Sequence, residues 1–211
     1  MARAQEQANQ TLVLGLTGGI ACGKSTVSRH LASLGAWIVD GDLVARDVVA
    51  PGQPGLAAIV HHFGEHLLLP DGTLDRAQLG RLIFADETHR LQLNALLHPL
   101  IAGRLAQLVD AARLEGVPVC VLDVPLLLEM DVPVACDVVW TVECPPGLQV
   151  ERLVERNGLS VVEALRRVTS QWTSEQRIAR ADEVLDNSGT VAELVGRVDA
   201  LWRQLPIHSP M

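Results

Sequence analysis

One glycine-rich stretch, Gly18–Ser25, constrains this chain more than any other part of its sequence. It reads GGIACGKS, which has the G-x-x-x-x-G-K-S spacing of a phosphate-binding P-loop, and it follows the apolar run Leu12–Leu16. In such a loop the backbone N–H groups point at phosphate oxygens, the lysine reaches the outer phosphates and the serine hydroxyl can bind Mg²⁺. Lys24 is the only lysine in the chain. The stretch therefore predicts a nucleotide-binding site.

The flanking sequence predicts strands that alternate with helices. Val27, Leu31 and Leu34 lie at helical spacing behind the loop, and Gly35 ends that helix. Four further runs are typical of buried strands: Ala36–Val39, Val117–Asp123, Asp137–Glu143 and Glu183–Leu185. Alternation of this kind produces a parallel sheet covered by helices on both faces. We therefore predict an α/β fold of the P-loop NTPase type with a five-stranded parallel sheet.

Two segments between the strands are predicted to be helical. Leucine stripes separated by turn signals fill residues 43–114 without a strand pattern, which predicts a helical insert. Residues 148–181 are helical and rich in arginine, with capping boxes at Ser160 and Thr173. The chain is thus predicted to form one domain over residues 12–206 after a disordered tail, residues 1–11. Its core segments are 12–42, 115–147 and 182–206.

Composition restricts where the chain works and what it binds. The net charge of −8 provides no global basic field for nucleic acid, and 48% hydrophobic residues suit a soluble globular protein. No stretch reaches the ~18 apolar residues of a membrane span, and Met1–Gln10 lacks a signal-peptide core. We expect a cytoplasmic monomer or weak homo-oligomer with no nucleic-acid or membrane partner. The cysteines are expected to be isolated reduced thiols: Cys22, Cys120, Cys136 and Cys144.

Acidic residues at strand ends are candidates for phosphoryl-transfer chemistry. Asp40 and Asp42 follow the strand that we expect beside the P-loop strand, so either could accept the proton of an attacking hydroxyl. Asp42 could instead cap a helix beginning at Leu43, and Asp40 could form a strand-end turn. Asp123 ends an apolar strand and resembles a Walker B acid that holds Mg²⁺, with a strand-end cap as the alternative.

For the arginine and histidine candidates, too, a functional role is weighed against an ordinary structural one. Arg152 and Arg156 share a helix face, where they could close over a triphosphate or simply be solvated. His61, His62 and His66 lack the acidic or cysteine partners of a metal site and are expected to be ordinary histidines. Because the only lysine is used in the P-loop, the chain cannot contain the N-K-x-D motif of typical GTPases. ATP is therefore the expected nucleotide.

Further motifs follow the P-loop in a fixed order over about Leu12–Leu201. They are VDGDLVAR at 39–46, HFG at 62–64, DGTLDR at 71–76, LLHP at 96–99, DVPLLLE at 123–129, ERLVERNG at 151–158, Gln171 and ADEVLDNSG at 181–189. In this order and spacing, the chain resembles the dephospho-coenzyme A kinases. Members of that family use ATP and Mg²⁺ to phosphorylate the ribose 3′-hydroxyl of dephospho-CoA, the last step of coenzyme A synthesis.

The resemblance implies roles for individual residues. The catalytic residues would be Asp42 as the general base, Lys24 and Arg152, with 43–114 as a CoA-binding insert and 148–181 as a lid. The implied ATP-binding residues are Gly18, Gly19, Ile20, Ala21, Cys22, Gly23, Lys24, Ser25, Thr26, Arg152, Arg156, Asn187 and Gly189. The implied dephospho-CoA-binding residues are Asp42, Arg46, His98, Pro125, Leu126, Leu127 and Glu129. The implied Mg²⁺ ligands are Ser25 and Asp123.

The chain departs from the family pattern at three positions. Gly41 stands where alanine is common, Leu128 where phenylalanine is common, and Cys22 where serine is common, which raises the question of redox sensitivity. Two other functions stay open at this stage. They are a kinase for another small metabolite and a nucleotide-switched binding module without an acceptor.

Overall fold

A computed structural model describes residues 11–129 and 134–207 of the chain. The described chain forms two compact units, one made of the residues up to Val39 and from Val109 onward, the other of Asp40–Leu108. Residues 1–10 of the predicted disordered tail lie outside the described residues. Thr11, which the sequence assigns to that tail, is buried.

A five-stranded sheet organises the first unit, which confirms the predicted α/β P-loop fold. Its strands are β1 (Leu12–Gly18), β2 (Trp37–Asp40), β3 (Val119–Asp123), β4 (Val138–Glu143) and β5 (Glu183–Asp186), in the order β2-β3-β1-β4-β5. β1 pairs in parallel with β3 and β4, and β4 pairs in parallel with β5. The register sets Asp123 beside Leu16 and Val142 beside Gly18. The carboxyl ends of β1, β3 and β4 therefore lie together.

One prediction about the sheet is wrong. We expected the strand that ends at Asp40 to lie beside the P-loop strand, but β3 lies between β2 and β1. The reason is burial: all five residues of β3 are buried, as a central strand requires, whereas β2 is partly exposed at Trp37 and suits the edge.

Helices follow the strands in the segments that the sequence predicts to be helical. Their bounds are α1 Lys24–Ser33, α2 Gly41–Asp47, α3 Pro54–Phe63, α4 Arg76–Ala85, α5 Glu87–Leu114, α6 Pro146–Asn157, α7 Val161–Thr169, α8 Ser174–Ile178 and α9 Val191–Trp202, with a 3₁₀ turn at Glu65–Leu67. Capping boxes begin α7 at Ser160 and α8 at Thr173, as predicted. No helix in the described part of the chain is long and apolar enough to cross a membrane.

The insert region contains one feature that its helical pattern does not predict. Leu68 and Leu74 form an isolated antiparallel bridge around the turn at Pro70–Gly72. The lid region consists of three separate helices, α6, α7 and α8, and the last two begin at the predicted capping boxes.

A hydrophobic core packs against β1, the strand that leads into the P-loop. Leu14 and Leu16 of β1 pack with side chains of α1 and α9 and with Trp140 of β4. Cys22 of the loop and Cys144 after β4 belong to the same buried cluster. The P-loop is thus anchored to the core by one of its own side chains.

Candidate active site

The P-loop connects the end of β1 to the start of α1. Gly23 occupies the N-cap position with φ +95° and offers no side-chain cap, so the first N–H groups of α1 are left for a ligand. Ala21 also has a left-handed backbone, with φ +60°, which is unusual for a residue with a side chain. An added Cβ at Gly23 would overlap the Asn187 side chain. The loop therefore needs glycine at position 23 for both its conformation and its packing.

Lys24 forms an ion pair with Asp123. The lysine begins α1, the aspartate ends β3, and their side chains are 19% and 8% exposed. Ser25 follows in the first turn of α1 and is exposed. Lys24 and Asp123 thus lie together, and Ser25 is next to Lys24 in the first turn of α1.

The two predicted lid arginines differ in their contacts. Arg152 of α6 donates hydrogen bonds to the carbonyl oxygens of Ala21, at 3.2 Å, and Asn187, at 3.0 Å. Arg156 lies one turn later, is exposed, and donates to the Asn157 side chain at 3.0 Å. Arg152 therefore contacts the P-loop, whereas the Arg156 side chain is exposed and hydrogen-bonds to its sequence neighbour.

Asn187 and Gly189 follow β5. Asn187 is 6% exposed, and its Nδ2 donates to the carbonyl oxygen of Cys22 at 2.7 Å. Its Oδ1 is buried without a hydrogen-bond partner in the described chain. Gly189 has a different role, because a Cβ there would overlap the Glu193 carboxylate that caps α9. Asn187 therefore contacts the loop, while Gly189 makes room for a helix cap.

Two glutamines that the motif analysis gives no role also contact the loop. Gln171, between α7 and α8, accepts a hydrogen bond from the Ile20 N–H at 2.7 Å. Gln149 of α6 donates to Cys22 Sγ at 2.9 Å. Only the position of Gln171 in the motif series could have drawn attention to it, since a lone glutamine carries no pattern of its own.

A buried ion pair lies beside these glutamines, and sequence reasoning missed it. Arg177, 2% exposed, donates from Nε and Nη2 to the two oxygens of Glu143 at 2.6 and 2.8 Å, and from Nη1 to the Trp172 carbonyl at 2.6 Å. Thr141 and Ser174 hydroxyls donate to the same carboxylate, each at 2.6 Å. Every oxygen of this buried charge is therefore satisfied.

The electrostatic consequence is that Arg177 stays charged. Burial acts to lower the pKa of the Arg177 guanidinium, but the hydrogen bonds and charge of Glu143 outweigh it, so that the pKa is raised. Arg177 also reaches the loop, since a Cβ on Gly19 would lie 2.8 Å from its Nη2. The ion pair thus forms part of the wall behind the P-loop.

The predicted acceptor segment 125–129 mixes surface and core residues. Pro125 and Leu126 are partly exposed, whereas Leu127 is 6% exposed and packs against Gly15 of β1. Glu129 accepts a hydrogen bond from the Trp172 N–H at 3.1 Å and lies 3.6 Å from Arg177 Nη1. Packing therefore occupies Leu127, and the buried charge network occupies Glu129 Oε1. Glu129 Oε2 is buried without a hydrogen-bond partner among the described residues.

The second unit carries the remaining candidates. Asp40 is the N-cap of α2, where its Oδ1 accepts from the N–H groups of Asp42 and Leu43 at 2.8 and 3.1 Å. The alternative that Asp42 caps this helix is therefore wrong. Asp42 and Arg46 are exposed and four residues apart on α2, hence on one face. His98 is half-buried on α5.

The prediction of isolated thiols is wrong for two of the four cysteines. Cys22 Sγ and Cys144 Sγ lie 3.2 Å apart, although the residues are 122 positions apart in sequence. Cys120 and Cys136 are free thiols elsewhere in the first unit. Sequence spacing could not reveal the contact, because the sheet topology creates it.

Comparisons with known proteins agree with this arrangement. The sequence model of the family described as dephospho-CoA kinase matches residues 12–193. A dephospho-CoA kinase of Thermobifida fusca is 47% identical over 94% of this chain and 99% of its own. The crystal structure of TT1252 from Thermus thermophilus superposes with a TM-score of 0.78 at 31% identity, covering 93% of this chain and 98% of that one.

A second solved structure supports the fold. Dephospho-CoA kinase from Campylobacter jejuni superposes with a TM-score of 0.70 at 24% identity, over 93% of this chain and 98% of its own. The family match, the close relative and the P-loop geometry agree. This chain belongs to the dephospho-CoA kinase family.

Proposed function

We propose that this chain transfers the γ-phosphoryl group of ATP to the ribose 3′-hydroxyl of dephospho-CoA, forming coenzyme A and ADP. The observation that carries the proposal is the P-loop with Lys24 paired to Asp123, in a chain that belongs to the dephospho-CoA kinase family. We expect the enzyme to work in the cytoplasm, with ATP and dephospho-CoA as its small-molecule partners.

On the ATP side of the reaction, the Lys24 ammonium group would leave the Asp123 carboxylate and bind the triphosphate. In the described structure its ammonium group is paired with Asp123, and a bound triphosphate would offer it stronger negative charge. Arg152, already in contact with the loop, would add positive charge where the transferred group becomes more negative. Asn187 keeps one buried amide oxygen that could accept a hydrogen bond from the nucleotide.

Ser25 and Asp123 have the donor chemistry for Mg²⁺. Lys24 engages Oδ1 of Asp123, which leaves Oδ2 as a second carboxylate oxygen, and the Ser25 hydroxyl is exposed at the start of α1. Few protein ligands are needed, because Mg²⁺ prefers oxygen ligands and retains water and substrate phosphates in its shell. When bound with ATP, the ion would neutralise charge on the β- and γ-phosphates.

On the acceptor side, we assign Asp42 as the general base. Asp40 is used to cap α2, whereas the Asp42 side chain is exposed and accepts no hydrogen bond from the described residues. Arg46, on the same face of α2, would bind an anionic group of the acceptor, and His98 with Pro125 and Leu126 would contact the rest. Lid closure by 148–181 would exclude water, which otherwise competes for the phosphoryl group.

The test compares acceptors in an ADP-release assay. We expect turnover with dephospho-CoA and little with adenosine or a nucleoside monophosphate. Turnover of those smaller acceptors without turnover of dephospho-CoA would reject the proposal. ATP hydrolysis that ignores dephospho-CoA would instead indicate a nucleotide-switched binding module.

A single substitution tests the base. Asp42→Asn should lower kcat by about 100-fold or more, with ATP affinity nearly unchanged, because proton acceptance contributes roughly 10²–10⁴-fold. Asp47→Asn is the matched control, since Asp47 lies on the same helix, is exposed and pairs with Arg104 at 3.2 Å. Equal kcat values for the two variants would remove Asp42 from the role.

A further inference from the structure

Two cysteines meet directly behind the P-loop. Cys22 is the residue before Gly23 and Lys24, Cys144 follows β4, and their sulfur atoms lie 3.2 Å apart. Both are buried, at 0% and 4% exposure. Since a disulfide bond is about 2.05 Å long, the two sulfurs need to approach by only roughly 1 Å to bond.

Polar side chains from α6 contact both sulfur atoms of this pair. Gln149 Nε2 lies 2.9 Å from Cys22 Sγ, and Arg152 Nη1 lies 3.6 Å from Cys144 Sγ. The hydrogen bond shared with Cys22 and the charge of Arg152 hold the pKa of Cys144 below its usual value. Burial raises the pKa of Cys120 and of Cys136 to about 11. Cys144 is therefore the thiol best prepared to react as a thiolate.

We propose that Cys22 and Cys144 form an oxidative modification site, at which hydrogen peroxide or an organic hydroperoxide joins them in an intrachain disulfide. The Cys144 thiolate attacks one peroxide oxygen, the O–O bond breaks, and a sulfenic acid forms. The hydroxide or alkoxide that leaves takes up the proton that the Cys144 thiol lost and departs as water or alcohol. The Cys22 sulfur then attacks the Cys144 sulfur, the S–O bond breaks, and the hydroxyl leaves as water with the Cys22 proton. Two thiols lose two electrons in total, and the peroxide gains them.

The disulfide would act on the P-loop. Cys22 donates its N–H to the Gly19 carbonyl at 3.1 Å and accepts from Asn187 through its own carbonyl, so a shift of its sulfur is transmitted to the loop backbone. Oxidation also removes the thiolate charge of Cys144 that Arg152 contacts, and it moves the sulfur that Gln149 contacts. A misplacement of about 1 Å can lower a rate by roughly 100-fold. We expect kinase activity to fall by about tenfold or more, a consequence that depends on the proposed function.

The experiment treats the full chain with hydrogen peroxide, removes the peroxide with catalase and divides the sample. One part is denatured for thiol counting and for mass mapping of cross-linked peptides, and the other is assayed for ADP release before and after dithiothreitol. We expect two of the four thiols to disappear, a Cys22–Cys144 cross-linked peptide, and activity that dithiothreitol restores.

Two variants separate this site from general oxidation. Cys144→Ser should form no cross-link and keep its own untreated activity, whereas Cys136→Ser should respond as the natural sequence does. A loss of thiols without this cross-link, or a cross-link through Cys120 or Cys136, overturns the proposal. Formation of the cross-link with unchanged activity overturns its effect on the P-loop. Peptide mapping needs no kinase activity, so the modification site can be established or rejected even if the proposed reaction fails.

Discussion

Replacing Arg177 by methionine should destabilise the chain by roughly 3–5 kcal/mol, because one partner of a buried ion pair is removed. Arg177 is 2% exposed and Glu143 is 5% exposed, so the Glu143 charge has no access to bulk water after the substitution. Methionine keeps most of the aliphatic length of arginine. The loss therefore reports mainly on charge and hydrogen bonding.

The magnitude follows from what the substitution leaves behind. Glu143 loses the two arginine donors at 2.6 and 2.8 Å but keeps the hydroxyl donors of Thr141 and Ser174. The Trp172 carbonyl loses its donor as well, and an unsatisfied buried group costs about 1–3 kcal/mol. If the buried charge is the main cause, adding Glu143→Gln to Arg177→Met should recover part of the stability.

The assay is urea denaturation of the full chain, with Arg197→Met as the matched control. Arg197 also pairs with an aspartate, Asp186, at 2.7 Å, but the two side chains are 46% and 47% exposed. Exposed pairs contribute about 1 kcal/mol or less. If Arg177→Met loses no more stability than Arg197→Met, the interpretation of the buried network is wrong.

Two further predictions concern a helix cap and a pair of glycines. Hydrogen bonds from the Thr190 backbone and hydroxyl lower the pKa of Glu193, so the stability that the cap contributes is present above the ordinary pKa of 4.5 and is lost as the pH falls through the lowered folded-state pKa. Glu193→Gln should therefore flatten the fall of the Tm at acid pH. An unchanged slope would exclude the cap as the source of that fall. Gly23→Ala should weaken ATP binding by about tenfold or more, because φ is +95° at this position and Asn187 fills the space. Gly196→Ala, in an open position inside α9, should instead stabilise the chain by roughly 0.5–1 kcal/mol. Similar ATP affinities for the two variants would contradict the loop geometry.

Local patterns predicted the features of this fold that depend on neighbours in sequence. Capping boxes at Ser160 and Thr173 marked the starts of α7 and α8, and apolar runs marked all five strands. The D-G-D sequence at residues 40–42 was harder to interpret, because either aspartate could be the N-cap of the helix that follows. Gly41 joined the helix, which made Asp40 the cap and left Asp42 exposed.

Long-range contacts were out of reach of the sequence. Arg177 and Glu143 are 34 residues apart. In the sequence, Arg177 is one of several arginines in a helical segment, and Glu143 is an acidic residue at the end of a strand. Cys22 and Cys144 likewise meet only because β1 and β4 are neighbours in the sheet. Residues of this kind have no period or spacing that would indicate their partner, so only the folded topology identifies them.

The proposed reaction is tested by the identity of the product that the full chain forms from ATP and dephospho-CoA. Phosphorus NMR and mass analysis should show one new phosphomonoester on the ribose 3′-oxygen, with one ADP released for each. Lys24→Ala should form none of it. A phosphate on any other oxygen, or undiminished product formation by Lys24→Ala, would reject the proposed reaction and the role of the P-loop lysine.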